Sequence, residues 1–251
     1  MTPDFDTPAP PSLRDVTLAD FLLAVIVGLG VTRLAGVVAV ALIAGPSLLG
    51  GAGMGLQSVL VVIFALQVVG LLAAIWLFAV RRRGLAWAAV GLRPPPQGWL
   101  LRAAGIGLIA FLLASLVNLG VQSLMAETPR NPQLDLIAPD GFSWLSLLVT
   151  LIFVGALVPF AEELFFRGLV YGWLRARMPV AVAAVVSGLG FAVLHGVWWL
   201  IPALALLGII LALVYERSGS IWTAVVVHGL FNSLTTLLYY LALASGVELP
   251  A

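Results

Sequence analysis

The sequence predicts an all-α fold, a polytopic transmembrane helix bundle of about seven to eight membrane helices, and three observations carry that prediction. Of its 251 residues 62% are hydrophobic and only 9% charged, against the roughly one quarter charged that a soluble domain carries. The apolar residues gather into stretches at about 18–44, 56–80, 100–125, 143–176, 180–199, 200–215 and 219–244, several of them near the ~20 residues that span a bilayer. Backbone polar groups in lipid must be satisfied within the segment, which makes these stretches helices rather than open strands. The residue-by-residue alternation of a transmembrane barrel is missing.

Taken in order, residues 1–17 (MTPDFDTPAPPSLRDVT) are Pro-rich and mixed in charge. They lack the basic start and small-residue cleavage site of a signal peptide, and the expectation is a disordered cytoplasmic tail. Residues 18–251 read as a single transmembrane domain without internal repeats. Its breaks carry turn chemistry: GPSLLGGAGMG at 45–55, RRRG and RPPPQG within 81–98, ETPRNPQLDLIAPDG at 127–141, MP at 178–179 and ERSGS at 216–220. A straight helix over 143–176 would be ~50 Å long, and Pro159 is expected to kink or split it. The segment 81–102 holds Arg81, Arg82, Arg83, Arg93 and Arg102 with no acid, which places it, and with it the N-terminus, in the cytoplasm. The loop 127–141, where Glu127, Asp135 and Asp140 outnumber Arg130, is then external. The C-terminus is external as well if 180–215 crosses twice.

Composition also excludes function classes. A net charge of +1, with no basic patch beyond Arg81–Arg83, argues against a nucleic-acid partner. The chain has no Cys, which removes disulfides, Cys-ligated zinc, thiol nucleophiles and Cys-linked lipid anchors together. Every basic residue is Arg.

The polar groups inside the apolar stretches are the informative ones. The chain's two histidines, His195 in GFAVLHGVWW and His228 in AVVVHGLFNSL, both sit in apolar runs. An ionisable group at mid-bilayer costs about 2.5–3.5 kcal/mol on insertion scales, and such groups face the bundle interior with partners. Asn232 follows His228 by four residues and shares its helix face. Glu163 and Arg167, in PFAEELFFRGLVYGWL at 159–174, are likewise four apart and can pair, whereas Glu162 is turned ~100° away and left for other work. Counted from the turn at Met178 and Pro179, Glu162 and His195 both lie ~24 Å along their helices, and Asn232 lies ~20 Å past Gly219. A cluster of Glu162, Glu163, Arg167, His195, His228 and Asn232 is therefore expected, drawn from three helices. Phe191, at helical spacing from His195, is expected to pack that cluster. Trp198 and Trp199 fit an interfacial aromatic belt better than a pocket. Arg33, inside the first apolar stretch, has no evident partner in the sequence.

The motifs EELFFR at 162–167, FAVLH at 191–195 and HGLFN at 228–232 resemble the EExxxR, FxxxH and HxxxN motifs of the CAAX-processing type II proteases, the Abi or CPBP intramembrane protease family. Order and spacing match without a departure, over the C-terminal 110 or so residues. The resemblance implies a catalytic core within about 143–244 and an intramembrane endopeptidase that hydrolyses a membrane-associated or hydrophobic peptide substrate. It implies that Glu162 acts with His195 to hold and deprotonate a water, that His228 and Asn232 supply oxyanion hydrogen bonds, and that Glu163 and Arg167 form a supporting ion pair, although the family's second glutamate has also been given a direct role. Two His and a carboxylate can also make a catalytic zinc set, and the family is often labelled metalloprotease. No HExxH motif is present; a metal-free mechanism with no cofactor is preferred, with zinc as the alternative.

Other chemistries fit less well. Every Asp lies in a tail, a loop or a span end, against a paired aspartyl site, and Val185 stands where a rhomboid-type GxSG needs Gly. A non-proteolytic scaffold, or a proton-coupled transporter relaying through the same Glu/His cluster, is the alternative. Paired broken helices of a transporter are not evident. The Lys-free, Ala- and Leu-rich composition points to a bacterial membrane, where prenylated substrates give way to toxin peptides or secreted peptides. No oligomeric state follows from the residues.

Overall fold

The computed structural model describes residues 11–48, 56–127, 131–138 and 141–246, and among them the chain is helix and turn with no strand. Helix α1 spans Leu18–Leu48, so it runs past the expected end at 44; the rest of the Gly-rich break at 45–55 lies outside the described residues. Helix α2 is Leu56–Ile75 and continues as a π segment over Trp76–Arg81. A 3-10 turn at Trp87–Val90 leads to α3, Trp99–Ser123. The short α4, Pro132–Ile137, lies in what the sequence presents as a loop. Helix α5 covers Trp144–Arg175, α6 Val180–Leu194, α7 Ile201–Ser218 and α8 Ile221–Ala244.

Among the described residues six helical segments are long and apolar enough to cross a membrane, and α6 is a shorter apolar helix. The predicted all-α transmembrane bundle is what the chain forms, as an integral membrane protein. Helix α6 has 15 residues, ~22 Å at 1.5 Å per residue, and falls short of the ~30 Å hydrocarbon core.

Helix α5 runs through the centre, packed against α2, α6, α7 and α8. Leu164, Phe165, Leu169 and Tyr171 on it are at most 1% exposed. Pro159 neither splits nor ends α5. Instead the helix widens into a π segment at Phe153–Leu157 just before the proline, and again at Leu164–Tyr171. The physical reason is that Pro159 cannot donate to the preceding turn, and a π bulge absorbs the irregularity without breaking the helix.

The start of α1 is tied to the end of α2. Asp20, fully buried, accepts from the Thr17 hydroxyl and pairs with Arg82 and Arg83. Of the tail expected to be disordered, residues 1–10 lie outside the described residues and 11–17 are anchored. There Trp173 Nε1 donates to the Val16 carbonyl at 2.9 Å, and Arg177 donates to the carbonyls of Leu13, Arg14 and Val16. Trp198 is 68% exposed, whereas Trp199 is 5% exposed and packs inward, so only the first of the pair remains available to an interface.

Candidate active site

The six polar residues singled out above converge. Glu162, His195, His228 and Asn232 line one cavity of about 700 Å³ whose remaining walls are largely apolar. That volume is ample for an extended peptide segment. Glu163 and Arg167 lie behind it, at 0% and 1% exposure.

On α5 the two glutamates are separated as the helical spacing predicts. Glu163 Oε1 accepts from Arg167 Nη1 at 2.8 Å and from His228 Nδ1 at 2.8 Å. Arg167 Nη2 donates to the Gly208 carbonyl of α7 at 3.2 Å, and its guanidinium lies 4.7 Å from the centre of the Phe191 ring. One buried ion pair thus links α5 to α7 and α8. Glu162 faces the cavity instead. Its Oε1 accepts from Gln67 Nε2 of α2 at 2.7 Å, and its Oε2 lies 3.8 Å from His228 Nε2, too far for a direct hydrogen bond.

The histidine tautomers follow from their partners. A carbonyl oxygen only accepts, so His195 Nδ1, 2.8 Å from the Phe191 carbonyl, carries a proton, and Nε2 of the neutral ring is left as a lone pair. His228 Nδ1 likewise donates to the Glu163 carboxylate. Phe191 packs edge-on against both imidazoles, with ring centres 4.6 Å from His195 and 5.5 Å from His228.

His195 departs from the expectation that it sits within a span. It caps the C-terminal end of α6, and the chain turns immediately at Gly196, whose φ of 74° suits glycine. The last carbonyls of a helix need donors, and two distant residues supply them. Gln133 Nε2 of α4 donates to the His195 carbonyl at 3.1 Å, and Arg33 Nη2 lies 3.4 Å from the Leu194 carbonyl. Arg33, unexplained in the sequence, thus places a cation at the negative end of α6. Helix α4 is set for its task by Asn131, whose side chain caps the Gln133 N–H at 3.1 Å, and by Pro132 in its first turn.

Asn232 is positioned by the irregularity in α5. The Val158 N–H donates to the Phe153 carbonyl, which deprives the Val154 carbonyl of its usual donor. The next candidate donor is residue 159, a proline without N–H. Asn232 Nδ2 fills the gap at 3.0 Å, which fixes the amide's orientation and leaves its second N–H to the cavity. Close approach of the helices is allowed by Gly229, where a Cβ would lie 2.5 Å from the Gly155 carbonyl.

Sequence reasoning missed Gln67, Gln133 and the capping role of Arg33. For Gln67 a signal existed: it is a lone polar side chain mid-way along an apolar span. The Nδ1 hydrogen bonds of His195 and His228 leave both Nε2 atoms as the ones that could hold a metal, and among the described residues no group of three or more His, Asp or Glu side chains is close enough together to hold one.

Residues 144–234 match the family model described as Type II CAAX prenyl endopeptidase Rce1-like. The chain is also similar to UPF0177 protein YxdF of Lactococcus lactis subsp. lactis (strain IL1403), at 27% identity over 152 residues, covering 59% of this chain and 84% of the relative. No solved structure matches. The matched segment contains α5, α6, α7 and the part of α8 that bears His228 and Asn232. Over residues 144–234, the segment that carries the candidate site, the chain is similar to the Rce1-like type II CAAX prenyl endopeptidases.

Proposed function

We propose that this protein hydrolyses a peptide bond of a membrane-associated or hydrophobic substrate by a water activated at Glu162. The observation that carries the proposal is the convergence of Glu162, His195, His228 and Asn232 on one cavity, with Glu162 held apart from the buried Glu163–Arg167 pair. In this reading a water lies between Glu162 Oε2 and the lone pair of His195 Nε2. As its oxygen attacks the substrate carbonyl carbon, its proton passes to Glu162. The negative charge that forms on the carbonyl oxygen is met by the free N–H of Asn232 and by His228, whose ring Glu163 holds at Nδ1. Collapse of the tetrahedral intermediate breaks the C–N bond, and Glu162 returns the proton to the leaving amine. Glu163 and Arg167 hold His228 and do not touch the substrate.

The mechanism proposed here uses no metal, and a zinc held by Glu162, His195 and His228 is the alternative. The similarity to a Lactococcus protein supports a bacterial membrane as the setting, and the Arg-rich segment 81–102 supports a cytoplasmic N-terminus. In that setting the substrate is a membrane-embedded or secreted peptide, and a prenylated C-terminus is the second choice. The test is mass spectrometry of newly formed protein termini in host membranes expressing wild type or Glu162→Gln at equal level. Termini that appear only with wild type are expected. Identical termini would return the Glu/His cluster to a binding or proton-relay role.

A further inference from the structure

We propose that Gln67 of α2, outside the segment that matches the family, is a positioning residue for Glu162: its side-chain amide pins one carboxylate oxygen and so aims the other at the water. The inference deepens the proteolytic reading and rests on it. Helix α2 reads LQSVLVVIFALQVVGLLAAI, and beyond Gln57 and Ser58 in its first turn Gln67 is its one polar side chain. A polar group in the middle of a span faces the bundle interior and finds a partner there. Leu60, Ile63, Phe64, Gln67 and Leu71 line the cavity from α2, at the three- and four-residue spacing of a single helix face. That face presents one amide to the cavity, and the amide goes to Glu162.

The geometry decides what the contact does. Gln67 Nε2 donates to Glu162 Oε1 at 2.7 Å, and among the described residues it is the direct hydrogen-bond donor to that carboxylate. The terminal torsion of a glutamate is broad and roughly two-fold, so an unheld carboxylate swings and exchanges its oxygens. A planar group pinned at Oε1 has its Oε2 direction set, here toward His228 Nε2 at 3.8 Å. Glu163, Arg167, His195 and His228 are the other charged or titratable groups around Glu162, and none of them fills this role. Arg167 and Glu163 are spent on each other, and His195 Nδ1 on Phe191.

The test uses the full-length protein in liposomes. Gln67→Met keeps length and helix preference but removes the donor, while Gln67→His keeps an N–H at about the same reach. For Gln67→Met, kcat is expected to fall about 10- to 100-fold, with KM within about twofold and the melting temperature unchanged; Gln67→His recovers part of the loss. Independently of turnover, the carboxylate infrared band of Glu162, identified as the intensity lost in Glu162→Gln, shifts in Gln67→Met and moves back in Gln67→His. A Gln67→Met protein with wild-type kcat, a loss that follows a lowered melting temperature, or an unmoved band overturns the inference. If wild type itself cleaves nothing, the proteolytic reading fails and the inference falls with it, a result distinct from active wild type with an indifferent Gln67.

Discussion

Removing the cation behind the site tests whether the buried ion pair holds the cluster together. Arg167→Met keeps a long flexible side chain and removes the charge. In the native protein Arg167 is 1% and Glu163 0% exposed, and the pair is closed by a 2.8 Å bond, with a second Arg167 bond of 3.2 Å to Gly208. Deleting one partner leaves an uncompensated buried charge, which costs about 3–5 kcal/mol. His228 Nδ1 stays on Glu163 at 2.8 Å and offsets part of that, so about 3 kcal/mol is expected. The double variant Arg167→Met/Glu163→Gln removes both charges and keeps an acceptor for His228. It should cost less than the sum of the two single changes, with a coupling energy of about 2 kcal/mol. Glu163 Oε2 and Arg167 Nε are buried without hydrogen-bond partners, which makes the intact pair a modest net contributor while its rupture remains costly. Equilibrium unfolding by SDS in mixed micelles measures all three variants. An Arg167→Met protein within 1 kcal/mol of wild type, or additive single and double changes, would refute the reasoning.

Asn232→Ala removes a proposed oxyanion donor, and kcat should fall about 10²- to 10³-fold with the protein still folded; a peptide-cleavage assay with thermal unfolding in parallel checks it. Pro159→Ala restores an N–H to α5 and removes a residue that costs up to ~3 kcal/mol in a helix interior, so the π segment at 153–157 can tighten to α and turn Glu162 away from the cavity. Stability is expected to hold or rise while activity falls, as read by the melting temperature and turnover of one sample. Exhaustive dialysis of the active protein against a strong chelator should leave kcat unchanged within twofold, and loss of activity restored by zinc would replace the metal-free mechanism.

Much of the site was legible because its chemistry is local in sequence. The four-residue spacings of Glu163 with Arg167 and of His228 with Asn232 decide helix faces, and the composition decides the membrane. What escaped depends on which helices meet. Gln67 and Glu162 are separated by 95 positions, and nothing in either segment names the other. The end of α6 at His195 was hidden by the apolar run that continues through VWWL; only Gly196 marks the turn. Pro159 was rightly a point of irregularity, but whether a proline kinks, splits or widens a helix depends on what meets the freed carbonyl, here Asn232 from 78 positions away. Arg33 looked isolated because its partner is a backbone carbonyl, which sequence does not display.

The most direct measurement of the central claim is the turnover of wild type and Glu162→Gln, purified, reconstituted in liposomes and supplied with a quenched-fluorescent hydrophobic peptide identified from the new termini. If Glu162 activates the water, the carboxamide, equal in shape and unable to take a proton, lowers kcat by at least about 10²-fold at an unchanged melting temperature. A folded Glu162→Gln protein that turns over within a few-fold of wild type would contradict the account and move the base elsewhere in the cluster.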